Sequence, residues 1–326
     1  MKRKLGRSGI EVSALGFGCW AIGGEMWMDQ KADGWGAVDD AESIRALRRA
    51  LELGVTFLDT SDAYGCGHSE EVIGEAIAGH RDEVVLCTKF GHVPSEGSRT
   101  LAGTCVDPGY IERACRASLR RLGTDRIDLY LLHVWSVQVA ELGAIREALE
   151  RLVQKGMIRS YGWSTDLVDG ARLIAQGRHA TAVEHNLNLF SDAPELVALC
   201  EREGLASVNR GPLAMGFLTG KFGKESRLPM DDVRGAGHAW VPYFQDGRPV
   251  PALLEKLAAV REVLQSGGRT LAQGALGWLW ARSPATLPIP GFKSVKQVEE
   301  NAGALRHGPL SPGQMEEIAR LLASPA

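Results

Sequence analysis

The chain has 326 residues and a mass of 35.2 kDa, a length that suits two domains or a single (β/α)8 barrel. Its 44% hydrophobic and 24% charged residues exclude wholesale disorder, and a net charge of −3 leaves no electrostatic footprint for nucleic acid. The 39 glycines, about 12% against a usual ~7%, are dispersed and imply many tight turns.

The segment Met1–Val12, with Gly6 to Gly9 between two short runs, reads as a hairpin outside any repeat. Lys2, Arg3, Lys4 and Arg7 before the apolar Ala14–Gly24 imitate a signal peptide. Glu11 interrupts them and no small-x-small cleavage site follows, so export is not expected. No apolar run reaches the ~18 residues of a membrane span. The cysteines at 19, 66, 87, 105, 115 and 200 form no C-x-x-C pair. Cys66 and His68 lack a second ligand pair for zinc, so no metal is expected, and the cysteines read as reduced packing residues of a cytoplasmic protein.

Eight apolar runs of strand length follow in order: Ala14–Gly18, Val55–Leu58, Val84–Thr88, Ile127–Leu132, Ile158–Gly162, Thr181–Glu184, Leu205–Asn209 and Thr286–Ile289. Helical patterns separate them. Ile44, Leu47 and Leu51 share one face; Ile111, Cys115, Leu119 and Leu122 share another, with Asp107-Pro108 as cap and Gly123 as left-handed stop. Leu142, Ile145, Leu149 and Leu152 repeat the pattern. Eight alternations favour a closed α/β TIM barrel over an open doubly wound sheet. No linker divides residues 1–326, which read as one domain. The stretch Gly223–Pro251, between strands seven and eight, reads as a lid or binding loop.

Barrel enzymes carry their reacting groups at the carboxyl ends of strands. Strand two ends in Asp59, followed by Thr60-Ser61-Asp62-Ala63-Tyr64; strand three ends in Lys89; strand four ends in His133. Singly, each reads as a loop cap, a solvated charge, a structural histidine or a packing ring. Together they place a carboxylate, an ammonium, an imidazole and a phenol at one rim.

The run Asp59-Thr60-Ser61-Asp62-Ala63-Tyr64-Gly65, the Thr88-Lys89 strand end, Leu131-Leu132-His133 and Ile289-Pro290-Gly291…Glu299-Glu300-Asn301 resemble the aldo-keto reductase family over nearly the whole chain. The resemblance implies a (β/α)8 barrel that reduces an aldehyde or ketone with NADPH, without metal, through a tetrad of Asp59, Tyr64, Lys89 and His133. A phenol can protonate the developing alkoxide if a neighbouring cation lowers its pKa, normally about 10. Lys89 would do that, Asp59 would hold Lys89 charged, and His133 would orient the substrate oxygen.

By family position Gly18, Cys19 and Trp20 line the nicotinamide end and Ser164 bonds the carboxamide. Gly16-x-Gly18-x-x-Ala21 is no Rossmann loop, because no helix opens there. Three residues depart from the family: Thr165 stands for asparagine, Glu184 for glutamine and Arg210 for the stacking tyrosine. Glu184 and Arg210 are expected to form an ion pair under the ring, which would tilt binding toward NADPH. Gly211, Leu213 and Lys221 resemble the pyrophosphate clasp. Gly291, Lys293, Gln297, Glu300 and Asn301 match the adenosine region, where Lys293 favours NADPH over NADH and Gln297, in place of arginine, softens that preference. Trp27, Trp35, Trp135, Trp240 and Tyr243 are expected to wall a pocket for a small carbonyl compound.

Other classes fit less well. Asp59-Thr60-Ser61 occurs once, whereas an aspartic protease needs two carboxylates. Gly162-Trp163-Ser164-Thr165-Asp166 lacks the last glycine of a nucleophile elbow. An NADPH-binding regulatory subunit on the same barrel stays open as the alternative. No sequence signal bears on oligomeric state.

Overall fold

The computed structural model describes residues 1–95 and 97–323. Eight parallel strands form the central sheet: Gly16–Gly18, Phe57–Asp59, Val85–Phe90, Ile127–Leu132, Ile158–Ser164, Ala180–Asn186, Ala206–Arg210 and Thr286–Pro288. Each pairs with its neighbour in chain order, and each matches one of the eight apolar runs. The match follows from burial: strands covered on both faces must be apolar nearly throughout, which is the pattern visible in sequence. Ile127–Leu132 is buried at every position.

The ring closes between its first and last strands. Gly18 bridges Gly291 in parallel, and its N–H donates to the Pro290 carbonyl at 3.1 Å. A Cβ at Gly18 would lie 2.9 Å from the Ile289 carbonyl oxygen, so closure here requires glycine.

The N-terminal hairpin, Lys2–Lys4 paired antiparallel with Glu11–Ser13, plugs one end. Leu5, Ile10 and Val12 pack into a cluster with Phe57, Val85, Cys87, Leu129, Leu131, Ala182, Ala206, Val208, Leu287 and Ile289. Arg7 ties the turn to this end by donating to the carbonyls of Ala180, Ala175 and Gly177 at 2.8, 2.6 and 2.8 Å.

Helices α1 (Asp40–Glu52), α2 (His68–Ala76), α3 (Pro108–Arg121), α4 (Val139–Gln154), α5 (Val168–Ile174) and α6 (Pro194–Glu203) fill successive crossovers; α7 (Pro251–Gln265) and α8 (Leu271–Arg282) together fill the last, and α9 (Val295–Gly303) and α10 (Pro312–Ala323) follow the final strand. The expected stop at Gly123 is left-handed, with φ of 61°. The expected Asp107 cap is corrected: Pro108 does open α3, but the Asp107 side chain makes no cap hydrogen bond and accepts from the Cys105 thiol at 3.4 Å instead. No helix among the described residues is long and apolar enough to cross a membrane.

Residues 223–250 contain a short antiparallel pair, Phe244–Gln245 with Arg248–Pro249, and an antiparallel bridge from Asp232 to Trp35. This loop is stitched to the loop after the first barrel strand. Val233 N–H donates to the Gly34 carbonyl at 2.8 Å, Lys31 Nζ to Gly237 at 3.0 Å, and His238 Nε2 meets the Ala32 carbonyl at 2.8 Å.

Candidate active site

Strand register sets which side chains meet at the carboxyl rim. Inward positions alternate along each strand. Asp59 is level with Cys87 and Gly18, Lys89 with Leu131, and Ser164 with Glu184. By this register Lys89 stands two residues above Asp59, and Ser164 and Glu184 two residues above Lys89; the stagger of tilted barrel strands brings these polar residues of the second, third, fifth and sixth strands together above the apolar plug.

Lys89 is the centre. It is wholly buried, and its Nζ donates to Asp59 Oδ1 at 2.6 Å, Asp59 Oδ2 at 2.7 Å and the Thr60 carbonyl at 2.9 Å. The Tyr64 hydroxyl lies 3.3 Å from the same nitrogen. Burial alone would discharge the ammonium, but Asp59 and Glu184 hold its pKa well above the ordinary lysine value. The three ligand-type groups Asp59, Cys87 and Glu184 also converge here, and Lys89 contacts both of the carboxylates.

Tyr64 differs from its expectation. Lys89 does pull its pKa down, yet burial, helped by Asp59 and Glu184, outweighs that pull and raises it. The resting phenol is firmly protonated. The cation can still favour the phenolate once it forms.

His133 follows the fourth strand, its ring edge-on to Tyr64 with centroids 5.9 Å apart. Its Nδ1 lies 3.1 Å from Ser61 Oγ. Burial, then His92 and Lys89, hold the imidazole neutral with a pKa well below the usual value. Trp20 stacks beside Tyr64 at 5.9 Å and meets Trp35 at 5.4 Å and Trp240 at 6.2 Å.

The expected Glu184–Arg210 pair is absent, and register explains why. Arg210 is level with Asn186, two residues beyond Glu184 on its strand. Asp166 stands two residues beyond Ser164, and it is Asp166 that binds the Arg210 guanidinium. Glu184 turns inward instead: Oε1 accepts from Ser164 Oγ at 3.1 Å, and Oε2 lies 3.3 Å from Lys89 Nζ. Thr165 is buried, and its hydroxyl accepts from the Leu167 N–H at 3.1 Å.

The remaining expected contacts lie around the rim. Cys19 N–H donates to the Asp59 carbonyl at 2.8 Å. Gly211 and Leu213 lead into Ala214–Thr219, where Met215 and Gly216 are left-handed. A Cβ on Gly216 would lie 3.4 Å from Lys221 Nζ and 3.7 Å from an Arg234 nitrogen, so a glycine sits between two cations. Lys293 Nζ donates to the carbonyls of Trp35 and Ala37 at 2.8 and 2.9 Å. Gln297 Oε1 accepts from the Lys293 N–H at 2.7 Å, Asn301 Nδ2 donates to the Gly291 carbonyl at 3.5 Å, and the Glu300 carbonyl accepts from Gln273.

Of the expected pocket residues, Trp35 and Trp240 reach the Trp20–Tyr64 cluster. Trp27 and Trp135 are exposed and join no ring of that cluster among the described residues, and Trp240 is itself half-exposed. Tyr243 is corrected to a packing residue: it is buried in the main apolar cluster, and its hydroxyl accepts from Asn188 at 2.7 Å.

Residues that carried no sequence signal of their own stand behind the tetrad. Glu70, fully buried on α2, accepts from Thr88 Oγ1 and Arg121 Nε at 2.6 Å each. His92 packs edge-on to His133 at 5.0 Å. Glu70 lies on the buried face of an otherwise polar helix turn, a position at which a carboxylate needs a partner.

Known proteins resemble this chain along its length. The model of the aldo/keto reductase family matches residues 14–323. An NADP(+) aldo-keto reductase of Schizosaccharomyces pombe is 34% identical over 325 residues, covering 97% of this chain and 89% of that protein. Among solved structures, the glycerol dehydrogenase of Gluconobacter oxydans superposes with a TM-score of 0.84 at 25% identity, over 100% of this chain and 97% of that one. An aldo-keto reductase of Klebsiella pneumoniae in complex with NADPH gives 0.74 at 28% identity, over 100% and 96%.

Proposed function

Because this chain belongs to the aldo/keto reductase family, we propose that it is an NADPH-dependent oxidoreductase that reduces an aldehyde or ketone to an alcohol, with Tyr64 as general acid. The observation that carries this reading is the Tyr64 hydroxyl 3.3 Å from a buried Lys89 ammonium that Asp59 clasps at 2.6 and 2.7 Å.

The chain fits the cofactor at both ends. Gly216 brings the backbone close to Lys221 Nζ and to Arg234, which Asp232 holds, so Lys221 is the cation offered to phosphate groups there. Lys293, with two of its three N–H groups on Trp35 and Ala37, has one left for a 2′-phosphate, which supports NADPH over NADH. Ser164 stands at the rim with a hydroxyl suited to the carboxamide. When bound, the dinucleotide supplies a hydride.

The residues of the chain handle the proton. Tyr64 gives its hydroxyl proton to the carbonyl oxygen as that oxygen gains charge. Lys89 then faces a phenolate, which its buried charge stabilises. Asp59 keeps the ammonium in place. His133, neutral and held at Nδ1 by Ser61 Oγ, orients the substrate oxygen through its other ring nitrogen. Trp20, Trp35 and Trp240 give the substrate an apolar wall, which suits aromatic or aliphatic carbonyl compounds.

The test is NADPH oxidation across a panel of aldehydes, ketones and sugars, with alcohol formation measured in parallel. One alcohol per NADPH consumed is expected. Tight binding of NADPH with no turnover on any carbonyl would overturn the enzymatic reading and leave a binding role.

A further inference from the structure

Glu184 stands where it gives Lys89 a second carboxylate, and the mechanism above has no use for it. Its Oε2 lies 3.3 Å from Lys89 Nζ, opposite Asp59 at 2.6 Å, and that oxygen is buried and receives no hydrogen bond among the described residues. One ammonium and two carboxylates, all 2% exposed or less, would bury a net negative charge. A dry site resists that and favours a proton on one of the two carboxyls. An amide at the same position would create no such excess.

Resting on the reading of the site as a nicotinamide-dependent reductase, we infer that Glu184, together with Asp59 and Lys89, forms a proton store that empties as the cofactor is oxidised. The charge bookkeeping closes. Hydride moves with its electron pair to the carbonyl carbon, the C=O π pair moves to oxygen, and the Tyr64 proton goes to that oxygen. The Lys89 N–H proton passes to the Tyr64 phenolate, and the proton shared by the two carboxyls restores Lys89. The nicotinamide ring would gain one positive charge on giving up hydride while the carboxyl pair loses one proton, so the net charge of the buried site is unchanged. Oxidised cofactor is thereby matched to two ionised carboxylates, and reduced cofactor to one.

The groups facing the pair support the store. Asp59 is pushed up to about 8, by burial first and then by Glu184, against the pull of Lys89. Tyr64 and Cys87 are neutral, with burial raising both, and His133 is neutral across the rim. Arg210 is held by Asp166. Lys89 is then the one cation that both carboxyls touch among the described residues.

Linkage makes the store measurable. Calorimetric titration of the wild-type protein at pH 6.5, in two buffers of different ionisation enthalpy, counts protons exchanged on binding. NADP+ should release close to one proton more than NADPH, the 2′-phosphate being common to both. The ratio of the NADP+ to the NADPH dissociation constant should fall nearly tenfold between pH 6 and 7, and Glu184→Gln should flatten that slope. Equal proton counts for the two cofactor forms, or an unchanged slope in a folded Glu184→Gln protein, would overturn the store and leave the reductase reading standing. If neither NADPH nor NADP+ binds, both readings fall. The calorimetric count needs only the wild-type chain, so it decides the matter even where the variant fails to fold.

Discussion

The two ends of the barrel are built from the same strands and behave oppositely. At the amino end, inward positions such as Phe57, Val85, Leu129 and Val208 meet Leu5, Ile10 and Val12 of the hairpin in an apolar cluster. One or two inward steps further on, the second and third strands present Asp59 and Lys89, and towards the same end the fifth and sixth present Ser164 and Glu184, all buried. The first end gains stability from area removed from water. The second buries charges whose desolvation is offset only by their mutual pairing, and chemistry is what that arrangement supplies. Removing a residue from one end should therefore cost folding, and from the other both folding and turnover.

Lys89→Met should break the comparison most severely. Losing one partner of a buried ion pair costs on the order of 3–5 kcal/mol, and turnover should fall by at least ~100-fold. Asp59, already raised by burial with the ammonium present, then keeps a folded pKa above its unfolded one. The stability it retains is present at low pH and lost as pH rises, so the melting temperature of the variant should drop between pH 5 and 8 by more than that of the wild type. A constant difference across that range would count against the charge assignment.

Leu5→Ala probes the other end. A buried leucine truncated in a tight cluster costs about 2–5 kcal/mol, read as a lower denaturant midpoint, while kcat per folded molecule should stay within about twofold. A large loss of kcat in the folded variant would show that the plug also shapes the rim.

His185 sharpens the boundary between scaffold and site. It is buried, with Nε2 2.7 Å from Ser207 Oγ, and burial lowers its pKa to about 4. The unfolded chain binds a proton below about 6.5, and the folded chain does so only near 4. Its contribution to stability is thus present above pH 6.5 and lost as pH falls toward 4, by about 3 kcal/mol. His185→Gln should flatten that part of the stability–pH curve. The smallest effect belongs to Trp240→Ala: loss of one aromatic wall should raise KM for aromatic carbonyls by about tenfold at most, with kcat and the NADPH dissociation constant little changed.

Much of this was legible in sequence because the barrel is regular. A strand buried on both faces must be a continuous apolar run, as Ile127–Leu132 is, and the residue just past such a run must lie at the rim, as His133 does. What sequence could not supply was height along the barrel axis. Glu184 and Arg210 looked paired because their strands are neighbours, yet register puts Arg210 at the level of Asn186 and Asp166. Tyr243 looked like a pocket wall because aromatic residues in loops often are; an asparagine amide from after the sixth strand fixes it inside instead. Net pKa direction was hidden too, since the pull of Lys89 on Tyr64 was visible in the motif and the burial opposing it was not.

The central claim is that the Tyr64 proton quenches the oxyanion as hydride arrives. The direct measurement is single-turnover oxidation of bound NADPH by Tyr64→Phe, beside the NADPH dissociation constant of the same variant. The account expects binding within about twofold of wild type and a rate lower by roughly 100- to 10,000-fold. A rate close to wild type, with NADPH bound, would contradict it.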